Sequence, residues 1–241
     1  MDEARFEIRH GTQDQEVFDE VVVANQYLLA DAFPPDSLVI DIGANIGCFA
    51  AACLLRGADM VVCLEPSPDN FRQLTHNLDA WPGKAVGVMA GVWRSDIDEE
   101  VSFSPGGGTA AGCCFRNAIS VSEFACQRVN TIGLDSLILQ CTNNGERRIQ
   151  LLKIDAEFSE YPILYSSTRL DLVDEIIGEA HEFTDSGSFD AKYYKHGTYK
   201  NTVTDICLFL QNNGFTVSVR PESFDNQTNT LFFATRPGVK K

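Results

Sequence analysis

The 241-residue chain has no apolar run near the ~20 residues that a membrane helix requires, so insertion in a bilayer is not expected. It also lacks clusters of Lys and Arg. With 19 basic against 34 acidic residues and a net charge of −15, it has no evident basic face to displace counterions from a phosphate backbone. A nucleic-acid partner is therefore not expected, and docking on anionic lipid is disfavoured for the same reason. None of the eight cysteines forms a CxxC pair, which argues against zinc. Cys48, Cys53, Cys63 and Cys207 sit in hydrophobic stretches, as small core residues of a reducing compartment do. The opening "MDEARFEIRHG" lacks the pattern of a secretory or transit peptide, so the expected location is cytoplasmic. The phosphate-cradling fingerprints G-x-G-x-x-G and GK[ST] are absent as well.

What is present is an alternation of strand and helix patterns. Residues 14–29 place Phe18, Val21, Val22, Leu28 and Leu29 on one helical face. "SLVIDIG" is a buried strand closed by glycine, followed by a helix from about Ile46, with Phe49, Ala50, Cys53 and Leu54 inward. "MVVCLE" is a second strand. Ser67 then caps a helix whose first position is Pro68. "AVGVMAGVW" (85–93), "LLKIDAE" (151–157) and "VDEIIGEAH" (173–181) are further strands, and a helix is expected near 202–212. "FTVSVRP" and "TLFFATRP" have no helix between them and must pair as a hairpin. The expected architecture is α/β, a doubly wound and mostly parallel sheet with a C-terminal antiparallel hairpin. The chain reads as one domain over 1–241, with an N-terminal helical segment (1–36) before a Rossmann-like core (37–241).

The first strand carries the first chemical signal. In a doubly wound sheet the ligand binds beyond the carboxyl ends of the strands. "LVIDIGANIGCFA" puts Asp41 there, followed by Gly43, Ala44, Asn45 and Gly47. A carboxylate suits a ligand with cationic groups better than a pyrophosphate, and S-adenosylmethionine has both an ammonium and a sulfonium. Glu65 ends the second strand, where an acid can accept hydrogen bonds from both hydroxyls of an adenosine ribose. Pro66 and Ser67 turn the chain over that sugar. The bland alternative is a solvated acid at a strand end beside an ordinary glycine turn.

Four stretches in order, "VIDIGANIGCFAA", "CLEPSPDNFRQLTHNL", "TIGLDSL" and "LLKIDAEFSEYPIL", resemble the FkbM-type methyltransferases. The segment "HGTQDQEVFDEVVVANQYLL" is similar to what precedes the first strand in that family. The resemblance covers about residues 10–182. It implies a class I methyltransferase fold, S-adenosylmethionine as donor, and a small-molecule acceptor, usually a hydroxyl on a sugar or natural product. One position departs from the family pattern. D-x-E-G-x-E is common there, whereas this chain has D-A-E-F-S-E, with Phe158 in place of glycine. Either the loop differs at that point or the ring lines a pocket for an apolar acceptor.

Methylating an alcohol requires a base for its proton. Asp155 and Glu157 end one strand and His181 ends the next, so these three are the candidate catalytic residues, with Asp155 also a candidate for binding the donor. His181 has a reference pKa of about 6.5 and can accept a proton near neutrality. Lys153 shares a face with Asp155 and either pairs with it or snorkels. Glu157 and Glu160 are suited to charging the start of the next helix. No metal is expected. The stretch 182–200, with Tyr193, Tyr194, His196 and Tyr199, reads as a substrate lid or as a loop packed by its tyrosines. Two other functions stay open: a nucleotide-dependent dehydrogenase on a related fold, and a protein that binds the donor without catalysis.

Overall fold

A computed structural model of the chain describes residues 6–96, 101–104, 113–115, 127–182, 199–224 and 227–239. In chain order its strands are β1 (Leu38–Ile42), β2 (Met60–Leu64), β3 (Ala85–Val88), β4 (Gly91–Trp93), β5 (Val101–Ser104), β6 (Cys113–Phe115), β7 (Gln127–Val129), β8 (Thr131–Gly133), β9 (Ile149–Ile154), β10 (Val173–His181), β11 (Thr216–Phe224) and β12 (Gln227–Thr235). Its α-helices are α1 (Asp14–Phe18), α2 (Cys48–Leu55), α3 (Pro68–Leu78), α4 (Leu134–Cys141), α5 (Glu160–Tyr165) and α6 (Val203–Asn212). The chain divides into two compact units, residues 1–91 with 100–131 and residues 92–99 with 132–241.

In the first unit β1, β2 and β3 run parallel, with Asp41 opposite Cys63 and Val62 opposite Val86. Every residue of β1 is buried, as expected for a strand covered on both faces. Helix α2 is buried from Cys48 to Leu54, so it is an interior helix rather than an amphipathic one. Helix α3 begins as the sequence indicates, with Ser67 as cap accepting from the Asn70 backbone and Pro68 at the first position. Its Leu74 and Leu78 are buried.

The N-terminal segment is less helical than its periodicity implies. Helix α1 has five residues and passes into a π-helical turn, Asp19–Val23, which ends at Ala24. Asn25 and Leu28 both have φ of 51°, outside any helix, and Leu28 is exposed. Asn25 exchanges two side-chain hydrogen bonds with the backbone of Leu29, holding a turn where the helix was expected to continue. The expected strand 85–93 is likewise interrupted, since Met89 and Ala90 separate β3 from β4.

In the second unit β9 and β10 are parallel, β12 pairs antiparallel with β10, and β11 pairs antiparallel with β12. The hairpin is therefore present, and only its second strand, β12, runs against β9 and β10. Gly178 sits where a Cβ would lie 2.3 Å from the Phe232 ring and 2.7 Å from Ile154, so the glycine makes room for that ring. Thr202 caps α6, whose Ile206, Phe209 and Leu210 are buried.

Candidate active site

In the first unit the glycine turn is built from left-handed backbone. Gly43, Asn45 and Gly47 have φ of 74°, 50° and 94°, a region open to glycine and tolerated by asparagine. The N–H groups of Gly43 and Ala44 both bond the Leu64 carbonyl at 3.0 Å, tying the end of β1 to the end of β2. A Cβ on Gly47 would meet Leu74 Cδ1 at 2.9 Å, so glycine also allows α3 to pack against the turn. Asp41 is fully buried, one residue before the end of β1.

Glu65 follows β2 and is buried. Its Oε2 accepts from the Asn45 backbone at 2.9 Å, and its Oε1 accepts from the Ser67 backbone at 2.8 Å. These bonds fix the carboxylate. The structure thus joins Asn45, Glu65 and Ser67, with Pro66 in the intervening turn. Sequence reasoning missed the support behind them. The buried Asn77 side chain donates to the Ile46 carbonyl at 2.9 Å and bonds both backbone groups of Glu7. Arg9 binds the buried Asp14 at 2.7 and 2.9 Å and donates to Asn70 at 2.9 Å. Burial works against an ionised Asp14, but its bonds from Arg9 hold the carboxyl below the usual range. An asparagine three residues after Leu74, on the buried stripe of α3, was the one local sign of this support.

In the second unit Asp155, Glu157 and His181 offer donor atoms within 4.8 Å of one another. That is close enough to share a proton or to hold a small cation. His181 is the last residue of β10 and is buried. Its Nδ1 lies 3.0 Å from Glu160 Oε1, and its Nε2 lies 3.5 Å from Glu157 Oε2 and 3.9 Å from Glu179 Oε1. Lys153 is buried and pairs with Asp155 at 3.4 Å, which favours the ion pair over snorkelling. Glu157 does not end a strand. It follows β9 in a turn, with φ of 43°, and Phe158 beside it has φ of 71°. Phe158 therefore adopts the left-handed backbone that glycine favours, and its ring packs on His181 with centroids 5.2 Å apart.

The cluster binds protons strongly. Burial, reinforced by Asp155, Glu160 and Glu179, pushes the Glu157 carboxyl up to about 8 despite the opposing pull of His181. Burial alone would disfavour the His181 imidazolium, but Glu160, Glu157 and Asp155 outweigh it and raise its pKa well above the ordinary value.

Most of the expected lid, residues 183–198 with Tyr193, Tyr194 and His196, lies outside the described residues. Tyr199 stacks on Tyr165 at 5.2 Å and packs edge-on against Phe209 at 5.4 Å.

The methyltransferase FkbM domain, as a family, matches residues 41–217. The chain belongs to this family. FkbM methyltransferases use S-adenosylmethionine, and that is the donor of this chain. A fixed acid after β2, a glycine turn and the buried Asp41 fit an adenosyl group carrying positive charge. Over 160 residues the FkbM chain is 31% identical to hexuronic acid methyltransferase AglP of Haloferax volcanii, covering 66% of this chain and 62% of that protein. It is 27% identical to AMB antimetabolite synthetase AmbE of Pseudomonas aeruginosa, covering 93% of this chain and 11% of that protein. The chain thus spans less than two thirds of the length of either relative. The N-terminal domain of EvdMO1, crystallised in the presence of SAH and D-fucose, matches with a TM-score of 0.53 at 11% identity, over 95% of this chain and 87% of that one. The shared architecture is the class I methyltransferase fold. Among the described residues no helix is long and apolar enough to cross a membrane.

Proposed function

We propose that this FkbM methyltransferase methylates a hydroxyl oxygen on a sugar or other small natural product, and that His181 takes the hydroxyl proton. The observation that carries this is the buried imidazole with Glu160 at 3.0 Å from one ring nitrogen and Glu157 at 3.5 Å from the other. An alcohol must lose its proton as it is methylated, and a buried imidazole flanked by carboxylates supplies a base together with charges that stabilise the imidazolium. S-adenosylmethionine supplies the methyl group as a sulfonium and leaves as a neutral thioether. Asp41, Gly43, Ala44, Asn45, Gly47, Glu65, Pro66 and Ser67 would hold it, with Glu65 suited to accept from the ribose hydroxyls. On methyl transfer the acceptor's hydroxyl proton would pass to Nε2 of His181. Glu157 then faces the new cation, and Asp155, braced by Lys153, orients the donor or the acceptor.

Two further observations favour a small acceptor. The net charge of −15 disfavours a polyanion such as nucleic acid, and one relative is named for action on a hexuronic acid. The protein should therefore be incubated with methyl-labelled S-adenosylmethionine and a panel of glycosides, including 4-nitrophenyl β-D-glucuronide and neutral hexosides, and the products analysed by mass spectrometry. The expected product is an alkali-stable methyl ether. A label found on nitrogen, or as an alkali-labile ester, would show that the oxygen reading is wrong. Because the Glu157 and His181 pair must first lose its proton, turnover should rise with pH through about 8 rather than level off near the ordinary histidine value.

A further inference from the structure

Glu160, at the start of α5, is fully buried. Its Oε1 accepts from the Ala156 backbone at 2.9 Å and lies 3.0 Å from Nδ1 of His181, a residue 21 positions away. Among the described residues its Oε2 has no hydrogen-bond partner. A purely structural acid would gain nothing from that arrangement, because an unmet buried oxygen costs stability. Sealed from water, the carboxylate must be met by N–H groups, and among the described residues these are a backbone amide and the imidazole. An anionic acceptor at Nδ1 requires the proton on Nδ1. The neutral ring then carries its lone pair on Nε2. The contact at Nε2 is longer, 3.5 Å to Glu157, and the Phe158 ring packed on the imidazole restricts its rotation.

We propose that Glu160 is a positioning residue that fixes buried His181 with Nδ1 protonated and Nε2 presented to the acceptor hydroxyl. This rests on the base role given to His181 above. The hydroxyl proton arrives at Nε2, and the Nδ1 proton stays on the ring. The groups facing the ring are Glu160 from α5, Glu157 and Phe158 from the turn after β9, and Glu179 from β10 itself, with Asp155 nearby.

The test is nitrogen NMR of the full chain labelled at histidine, titrated from neutral to alkaline pH. In the wild type the neutral His181 should carry its proton on Nδ1, and finding it on Nε2 would overturn the proposal. In Glu160→Gln the His181 midpoint should fall by about one unit or more, since the nearest fixed charge is gone. Glu160→Asp should keep the Nδ1 proton. An unmoved midpoint in Glu160→Gln would also overturn it. With an accepted glycoside, Glu160→Gln should lower kcat by about tenfold or more and leave SAH affinity within about twofold. The wild-type tautomer is decisive even if the substituted chain does not fold. Failure of the base reading would look different: His181→Ala would retain full turnover while the wild-type tautomer stayed as expected.

Discussion

Glu65 and Glu160 are both buried carboxylates, yet they are held in different ways. Glu65 accepts from two backbone amides, of Asn45 and Ser67. Glu160 accepts from one backbone amide, of Ala156, and faces an imidazole. Backbone amides do not titrate, so the Glu65 contacts persist across the pH range in which it is ionised. The Glu160 contact belongs to a group of acids around one histidine whose proton count changes near physiological pH. Binding a donor calls for fixed charge, and moving a proton calls for charge that responds to it. On the function proposed above, the two regions separate these demands.

The largest effect should come from the fixed side. Removing the carboxylate in Glu65→Ala loses its charged hydrogen bonds to the turn and the proposed ones to a ribose, at about 1.5–3 kcal/mol for each such interaction. One of them alone corresponds to about 10–100-fold weaker binding. Calorimetry with SAH checks this, with Glu157→Gln as the control that should bind almost as the wild type does. Equal losses in both variants would erase the distinction between the two regions.

A smaller effect is expected from Gly47→Ala. Its φ of 94° strains any side chain, and the new Cβ would press on Leu74 at 2.9 Å. The left-handed backbone costs about 1–2 kcal/mol. At about 2–4 °C per kcal/mol for a chain of this size, Tm should drop by several degrees, equally at pH 6 and pH 8.5. A pH-dependent loss would tie the turn to the titrating cluster.

The cluster should supply the pH dependence that the turn lacks. Glu157 rises from 4.5 in its ordinary state to about 8 in the fold, so the folded chain binds more protons than the unfolded one between those values. Its contribution to stability is therefore lost as pH climbs through that window, opposite in sign to a salt-bridged carboxylate. His181 adds to the same trend, since its raised pKa favours the fold below about 6.5 and that advantage fades as pH passes the raised value. Thermal unfolding should show Tm declining from pH 6 to pH 9, and Glu157→Gln should flatten the decline. A slope unchanged in that variant would mean that other groups set it.

These contrasts also explain what the amino-acid order made legible. Asp41, the glycine turn, Glu65 and the Ser67–Pro68 cap are local signals, each read within a few residues of its partner. The hairpin of β11 and β12 was legible because no helix pattern separates its strands. The N-terminal helix was over-read. Phe18, Val21, Val22, Leu28 and Leu29 suggest one helical face, but Asn25 bonds the Leu29 backbone and ends the helix before it. Glu160 was visible only as an acid near a helix start, because its partner His181 lies 21 residues away. Helix α4 went unassigned although its Leu134, Leu137 and Ile138 are buried at helical spacing. Side-chain pairings across long separations leave no periodic trace, and the acid–histidine cluster is made of such pairings.

The smallest effect, and the finest test of the acidic region, is Phe158→Gly. The left-handed φ of 71° costs Phe158 about 1–2 kcal/mol, which glycine would relieve. Glycine also loses more chain entropy on folding, by about 0.5–1 kcal/mol relative to alanine, and the ring's packing on His181 disappears. These terms oppose one another, so Tm should move by no more than about 2–4 °C, the equivalent of roughly 1 kcal/mol. SAH affinity should not change, because Phe158 is not among the residues proposed to hold the donor. What should change is the ring's restraint on the imidazole and the local dielectric. Opening the cluster to water weakens the burial that lifts Glu157, so the rise of turnover with pH should begin lower than in the wild type. An unchanged pH profile would mean that the ring packs on His181 without shielding it.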